Sequence, residues 1–246
     1  MSMNDQTITE KSALIRHKVY SPALLDQFGR TFDYLRIAVN EKCNLRCIYC
    51  MPEKGVPFKP ENELLNAVEI TRLVKIAASL GVKKVRFTGG EPLLRKDIIE
   101  LIQAAAGTPG IRSVHLTTNG IFLQSAISEL QEAGLTGVNI SLDTLDPEKF
   151  KQITRRAGLA QVMAGLDAAL AAGSLSTKLN VVAMRNSNVN ELNRFAELTR
   201  DRNIVVRFIE LMPFDSQQIW RTGKFYGVDE IIRDLHQAFP HLVVDQ

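Results

Sequence analysis

The chain has 246 residues, 45% of them hydrophobic, which is enough apolar side chain to fill one large core or two small ones. Thirty Lys and Arg against 27 Asp and Glu leave a formal net charge of +3, too mild for a nucleic-acid-binding protein but compatible with a local pocket for a small anion. No apolar run approaches the ~18 residues of a membrane-spanning helix, and the opening MSMNDQTITEKSALIRHKVY lacks the apolar centre of a secretory signal, so a cytoplasmic location with reduced thiols is expected.

In chain order, an N-terminal extension over 1–30 leads to a first strand at DYLRIAV (33–39). That strand runs straight into NEKCNLRCIYCMPEKG (40–55), which holds all three cysteines of the chain, Cys43, Cys47 and Cys50. An amphipathic helix over 66–81 follows, then a strand over 83–89 that ends in TGGEP, a helix over 97–107, and a strand over 112–118 that ends in TTNG. Next come a helix over 122–134, a strand over 137–143 ending in SLD, a helix over 161–173, strands over 177–184 and 205–212, the latter ending in ELMP, and a last helix over 228–239. Several helical runs end in glycine, as a helix C-cap favours. Strand–helix alternation of this kind means βα units and a parallel sheet. With no linker in sight, 31–246 reads as one α/β domain.

Six similar βα units argue for an incomplete (βα)6 TIM-like barrel rather than a flat doubly wound sheet. The polar breaks favour it, since the cysteine loop, TGGEP, TTNG, SLD and ELMP all follow strand ends and so fall on one rim, where barrels keep their working residues.

The cysteines need a reason to cluster. Disulfide pairing leaves one thiol over and is disfavoured in a reducing compartment. A structural zinc wants four ligands, and the nearest histidines, His17 and His115, match no zinc spacing. Three unrelated buried thiols rarely fall within eight residues. Iron–sulfur ligation remains: three thiolates on a four-iron cubane leave one iron open for chemistry.

The spacing C-x3-C-x2-C, with Tyr49 just before the third cysteine, and GGEP after the second strand resemble the radical S-adenosylmethionine superfamily. FGRTFDYLRIAVNEKCNLRCIYCMP, VRFTGGEPLLRKD, LTTNG, VNISLDTLDPEKF, KLNVVAM and VRFIELMPF narrow the resemblance to the GTP 3′,8-cyclases of molybdenum cofactor biosynthesis, over nearly the whole chain from about Leu25. The resemblance implies a radical SAM partial barrel in which Cys43, Cys47 and Cys50 hold a [4Fe–4S] cluster. The open iron would chelate S-adenosylmethionine, whose reductive cleavage yields a 5′-deoxyadenosyl radical. Tyr49, Gly90, Ser141 and Met212 occupy the family's S-adenosylmethionine positions, with Glu91 expected to help hold the methionyl ammonium. The glycine pair before it is expected to let backbone approach that amine. Each also has a plain structural role available, as packing residue, turn or cap.

Charge inside a strand is costly unless it faces a pocket. Arg36, Arg86 and Lys178 interrupt strands, and on an edge strand they would merely face solvent, whereas in a barrel they face the lumen or a rim. With Thr117 they match the family's GTP positions and offer charge-assisted hydrogen bonds to a triphosphate. Arg207 and Glu210 rank lower, as a pair or as part of the same pocket. The implied reaction removes the ribose 3′ hydrogen and closes the carbon radical on guanine C8, an early step of molybdopterin biosynthesis by a radical SAM lyase. The implied partners are GTP and an unidentified electron-donor protein, with a homodimer as the assembly to look for; no nucleic acid or membrane is expected.

The sequence departs from the family at its C-terminal end. A second cysteine triad, a second [4Fe–4S] cluster and a Gly-Gly tail are implied by the family, and HLVVDQ supplies none of them. A shortened chain that cleaves S-adenosylmethionine slowly, holds GTP by its phosphates and makes little cyclised product is therefore expected. A single-cluster radical enzyme acting on a peptide or haem-related substrate, and a non-catalytic nucleotide-binding remnant, are the alternatives.

Overall fold

The computed structural model describes residues 24–212 and 222–243. Six strands, β1 (Tyr34–Ala38), β2 (Lys84–Thr88), β3 (Ser113–Thr118), β4 (Gly137–Ser141), β5 (Ser176–Ala183) and β6 (Val205–Glu210), form one sheet in the order β1-β2-β3-β4-β5-β6. All five pairings are parallel and join strands consecutive in the chain. A doubly wound sheet reverses direction at a switch point; this sheet never does. It is the progression of a barrel left open between β1 and β6.

The helices are α1 (Ala67–Ser79), α2 (Ile98–Ala106), α3 (Leu123–Glu132), α4 (Pro147–Thr154), α5 (Leu159–Ala171), α6 (Leu192–Asp201) and α7 (Val228–Ala238). Their starts follow local chemistry. Asn66 and Glu69 form a reciprocal capping box at α1, and Asp146 accepts from Glu148 N and Lys149 N at the head of α4, where Pro147 takes the first turn. Neither α4 nor α6 stood out in the sequence. Both are short, and α6 follows directly on a 3-10 turn over Val189–Glu191. The strands over 137–143 and 205–212 read from the sequence run two residues too far, because Leu142, Asp143, Leu211 and Met212 already belong to the rim loops.

Register separates the two faces of the sheet. Outward residues are apolar and buried under the helices: Val85, Phe87, Val114, Leu116, Val138, Ile140, Leu179 and Val181 join Ile70, Val74, Leu101, Ile102, Leu123, Leu130, Val162, Leu166 and Phe195 in one core. The inward face is polar. Arg36 pairs with Arg86 and Arg86 with His115. Thr117 pairs with Asn139 and Asn139 with Lys178, while Ser141 pairs with Asn180 and Asn180 with Arg207. Paired residues of neighbouring strands share a face, so the lumen is a stack of polar rows where a complete barrel packs branched aliphatic side chains.

Most of the expected N-terminal extension, residues 1–23 with His17, lies outside the described residues, as do Pro213 and Phe214 of VRFIELMPF and the terminal VDQ. Of the extension, Leu25 is described in an antiparallel bridge to Thr31. Among the described residues no helix is long and apolar enough to cross a membrane.

Candidate functional site

Three loops meet at the rim. The cysteine loop leaves β1, and the GGEP loop lies against its start: Gly90 N donates to Asn40 O at 2.9 Å, Glu91 N to Lys42 O at 2.8 Å, and Asn40 Nδ2 to Glu91 O at 2.9 Å. The approach is too close for a side chain, since a Cβ on Gly90 would lie 2.3 Å from Lys42 O and 2.7 Å from Glu41 O. Gly89, at φ +148°, would put a Cβ 2.5 Å from Asn40 O. The glycine pair is therefore required by contact with the cysteine loop itself, a reason different from the approach to a methionyl amine expected from sequence.

Glu91 has its partners within the protein. It is 0% exposed, and its carboxylate accepts from Leu93 N (3.0 Å), Thr118 Oγ1 (2.8 Å) and Asn119 N (2.7 Å). Those bonds fasten the GGEP loop to TTNG. Burial pushes the Glu91 carboxyl up, and those three donors oppose the shift. Asn119, which the sequence did not single out, completes the junction by donating to Asn44 Oδ1 at 2.8 Å and reaching Cys43 Sγ at 3.9 Å.

The far side of the cysteine loop is pinned by α4. Arg46 N and Ile48 N donate to Thr154 O and Ile153 O, each at 2.9 Å. Arg155, left-handed at φ 56°, reaches from the end of α4 to Arg46 O (3.0 Å) and Met51 O (2.9 Å). A non-glycine residue held in that conformation beside a functional loop is local strain offset by those bonds.

Cys43, Cys47 and Cys50 are free thiols, the first two half-buried and the third exposed. Burial pushes Cys43 up. A hydrogen bond between Cys47 and Cys50 raises the former and lowers the latter, so Cys50 is the first to become a thiolate. Among the described residues no three His, Cys, Asp or Glu side chains converge on a single ion. A mononuclear zinc site requires such convergence; a cubane gives each thiolate an iron of its own, and three free thiols on one loop fit it.

Tyr49 ties this loop to the end of β4. Its hydroxyl donates to Asp143 Oδ2 at 2.6 Å, and Val182 N donates to Asp143 Oδ1 at 2.8 Å. Burial lifts the Asp143 carboxyl to about 6, with the Tyr49 hydrogen bond opposing it. Ser141 closes β4 half-buried on the inward face, and Met212, 58% exposed, follows β6.

Below this rim the lumen collects cations. Arg36, Lys84, Arg86, Lys178 and Arg207 face it by register, and none forms a salt bridge with a carboxylate among the described residues. Tyr34 holds three of them over its ring, with Arg86, Lys84 and Arg36 at 5.1, 5.8 and 5.9 Å from the centroid. Burial lowers Lys84, and repulsion from Arg86, Lys178 and Arg207 adds to it; burial and neighbouring Arg207 and Arg36 also lower Arg86. Buried atoms without a partner point the same way: Arg86 Nε, His115 Nδ1, Asn139 Oδ1, Asn180 Oδ1 and Arg207 Nε. Native proteins rarely leave such groups unpaired. Thr117 Oγ1 accepts from Asn139 Nδ2 at 3.3 Å.

The expected pairing of Arg207 with Glu210 does not form. Three positions apart on a strand, they face opposite sides, and Glu210 instead accepts from Val228 N at 2.6 Å at the head of α7. Lys84, Tyr34, Asn139 and Asn180 went unnoticed in the sequence, although strand periodicity puts Lys84 two residues before Arg86 on the same face.

Residues 37–199 match the Radical SAM superfamily. The chain belongs to the radical SAM superfamily. Its similarity within that superfamily is to GTP 3′,8-cyclase of Chlorobaculum tepidum, 51% identical over 89% of this chain and 66% of that protein. Molybdenum cofactor biosynthesis protein 1 of Homo sapiens is 45% identical over 91% of this chain and 35% of its own length. The chain thus spans from about a third to just under two thirds of these relatives. Among solved structures, methylornithine synthase superposes with a TM-score of 0.63 at 17% identity, over 86% of this chain and 63% of that one; it shares the radical SAM barrel.

Proposed function

We propose that this chain forms the radical-generating, triphosphate-holding barrel of a GTP 3′,8-cyclase, a radical SAM lyase of molybdenum cofactor biosynthesis. The observation that carries this reading is the lumen, below the cysteine loop: five cations that form no salt bridge among the described residues, and a set of buried, unpartnered polar atoms. A triphosphate supplies the negative charge that the cations lack and acceptors for Arg86 Nε and Arg207 Nε. The similarity to these relatives supports the same reading.

In this reading Cys43, Cys47 and Cys50 hold a [4Fe–4S] cluster, and the cluster with S-adenosylmethionine supplies one-electron bond cleavage. The protein's own part is placement. Tyr49, Gly90, Ser141 and Met212 flank S-adenosylmethionine at the rim, while Glu91 and Asn119 lock the loops that present it. Arg36, Arg86 and Arg207 offer planar forks to phosphate oxygens, and Lys84 and Lys178 add point charges and donors. Thr117 and Asn139 share a row with Lys178, one step nearer the rim than Arg36 and Arg86, and hold the sugar with its 3′ hydrogen toward the radical source. The apolar shell outside the lumen excludes water from the reaction. Closure on guanine C8 also requires a held base, and this reading assigns that task to no residue described here.

The experiment is anaerobic reconstitution, followed by iron analysis, S-adenosylmethionine cleavage and GTP binding. About four irons per chain are expected, lost together with cleavage in Cys47→Ser while GTP still binds. Cleavage and full iron content without GTP binding would end the cyclase reading and leave a radical enzyme for another substrate, such as a peptide.

A further inference from the structure

His115 is the lumen residue to which the reading above gives no task. It lies on β3 in register with Arg86 on one side and Gly137 on the other. It is 6% exposed, and its Nδ1 is buried without a partner. The neighbouring strand makes room for it: a Cβ at Gly137 would lie 2.6 Å from His115 Cε1 and 2.7 Å from Nδ1. Glycine at 137 is what lets the imidazole lean across β4 within the lumen.

The groups facing the ring are nearly all positive. Lys84 and Arg86 act on it from β2, Lys178 from β5 and Arg207 from β6. Arg36 of β1 extends the same row through Arg86, with Tyr34 beside it, and β4 contributes only uncharged Gly137 and Asn139. Asp33 is the acid that acts on Lys84. Burial first, then these cations, hold the imidazole down at about 4. An anion entering the row reverses the balance, because it neutralises the cations and gives Nδ1 an acceptor.

Resting on the triphosphate reading of the lumen, we propose that His115 is a further anion-binding residue, neutral in the free protein, that takes one proton from solvent as the polyphosphate enters and donates from Nδ1 to a phosphate oxygen. Binding is then proton-linked. Over the range between the ring's free and bound pKa values the affinity rises as pH falls, by up to about tenfold per pH unit for one proton. The nucleotide works in the opposite direction: its terminal phosphate titrates near pH ~6, and a cationic site keeps it ionised and so expels its proton.

The test is calorimetry of GTP binding to the reconstituted protein at pH 6.5, in buffers of unlike ionisation enthalpy, for the wild type and His115→Asn. The wild type is expected to take up between about a half and one proton more per GTP than the variant, and to bind roughly three- to tenfold tighter, with the gap narrowing at pH 8.5. Equal proton counts overturn the proposal. If the variant does not fold, the wild-type ring itself decides. Its NMR titration is expected to rise from about 4 to about 6.5 or above with GTP bound, and an unmoved titration is equally fatal. Arg86→Ala separates the two levels of the argument. If it leaves GTP affinity unchanged, the triphosphate reading fails and takes this inference with it; weakened binding with no proton difference in His115→Asn removes the histidine alone.

Discussion

Gly90→Ala isolates the junction between the GGEP and cysteine loops. The added Cβ sits 2.3 Å from Lys42 O, 2.7 Å from Glu41 O and 2.7 Å from Lys42 C, all backbone, so no side chain can swing aside. Carbon and carbonyl oxygen rest at about 3.3 Å, so the two loops must part by about 1 Å. That separation breaks or stretches the bonds from Gly90 N to Asn40 O and from Glu91 N to Lys42 O, at about 1 kcal/mol each. Overpacking adds ~1–3 kcal/mol. A total near 3–5 kcal/mol corresponds to a fall in Tm of roughly 6–20 °C for a domain of this size. The displacement reaches Cys43 three residues after Asn40, so iron loading falls too, and misplacement of about 1 Å costs on the order of a hundredfold in S-adenosylmethionine cleavage. GTP affinity changes little, because the phosphate-facing cations lie lower in the lumen. Thermal melting of the apo protein, iron analysis after reconstitution and GTP calorimetry read the three effects separately. Wild-type melting together with full iron content in Gly90→Ala would refute the claim that backbone contact is what demands glycine here.

Arg86→Ala or Lys178→Ala is expected to weaken GTP binding by about 1.5–3 kcal/mol, the usual worth of a hydrogen bond to a charged group, with iron content unchanged; unaltered affinity in both would remove the triphosphate from the lumen. Tyr49→Phe leaves Asp143 with Val182 N as its remaining partner, at a cost of about 1–3 kcal/mol in denaturant unfolding, and a variant as stable as wild type would show that the bond contributes nothing. In the free protein the His115 imidazole is held at about 4 against 6.5 unfolded, so the unfolded chain binds the extra proton. Stability from this group is complete above pH ~6.5 and is lost as pH falls towards 4, by at most about 3 kcal/mol. Urea unfolding of wild type and His115→Asn across that window should therefore converge as pH falls, and parallel profiles would contradict the burial argument.

Parts of this molecule were open to reading without coordinates, and the reasons are local. Apolar alternation and amphipathic runs marked every strand and five of the seven helices among the described residues, because burial under a helix layer demands Val85, Phe87, Val114 and Leu116 whatever the chain does later. Short α4 and α6 carry fewer turns of periodicity and were passed over. Motif order also placed the rim, since polar loops follow strand ends. Contacts between residues remote in sequence were not legible. The Glu91 carboxylate is held by Thr118 and Asn119, 27 and 28 positions away, which no local pattern records. Strand alternation turns Glu210 away from Arg207 and toward Val228 N at the head of α7.

By itself, the sequence determined the βα alternation, the cluster of thiols and the presence of charged residues within strands, all properties of short stretches that elementary periodicity and ligand chemistry can read. Only the tertiary structure decided that the sheet advances without a switch point and that Arg36, Arg86, His115, Lys178 and Arg207 share one lumen. Strand register is set by packing across the whole sheet. A one-residue slip would turn every one of those side chains on the slipped strand to the opposite face, and no single stretch of chain records which register its neighbours impose.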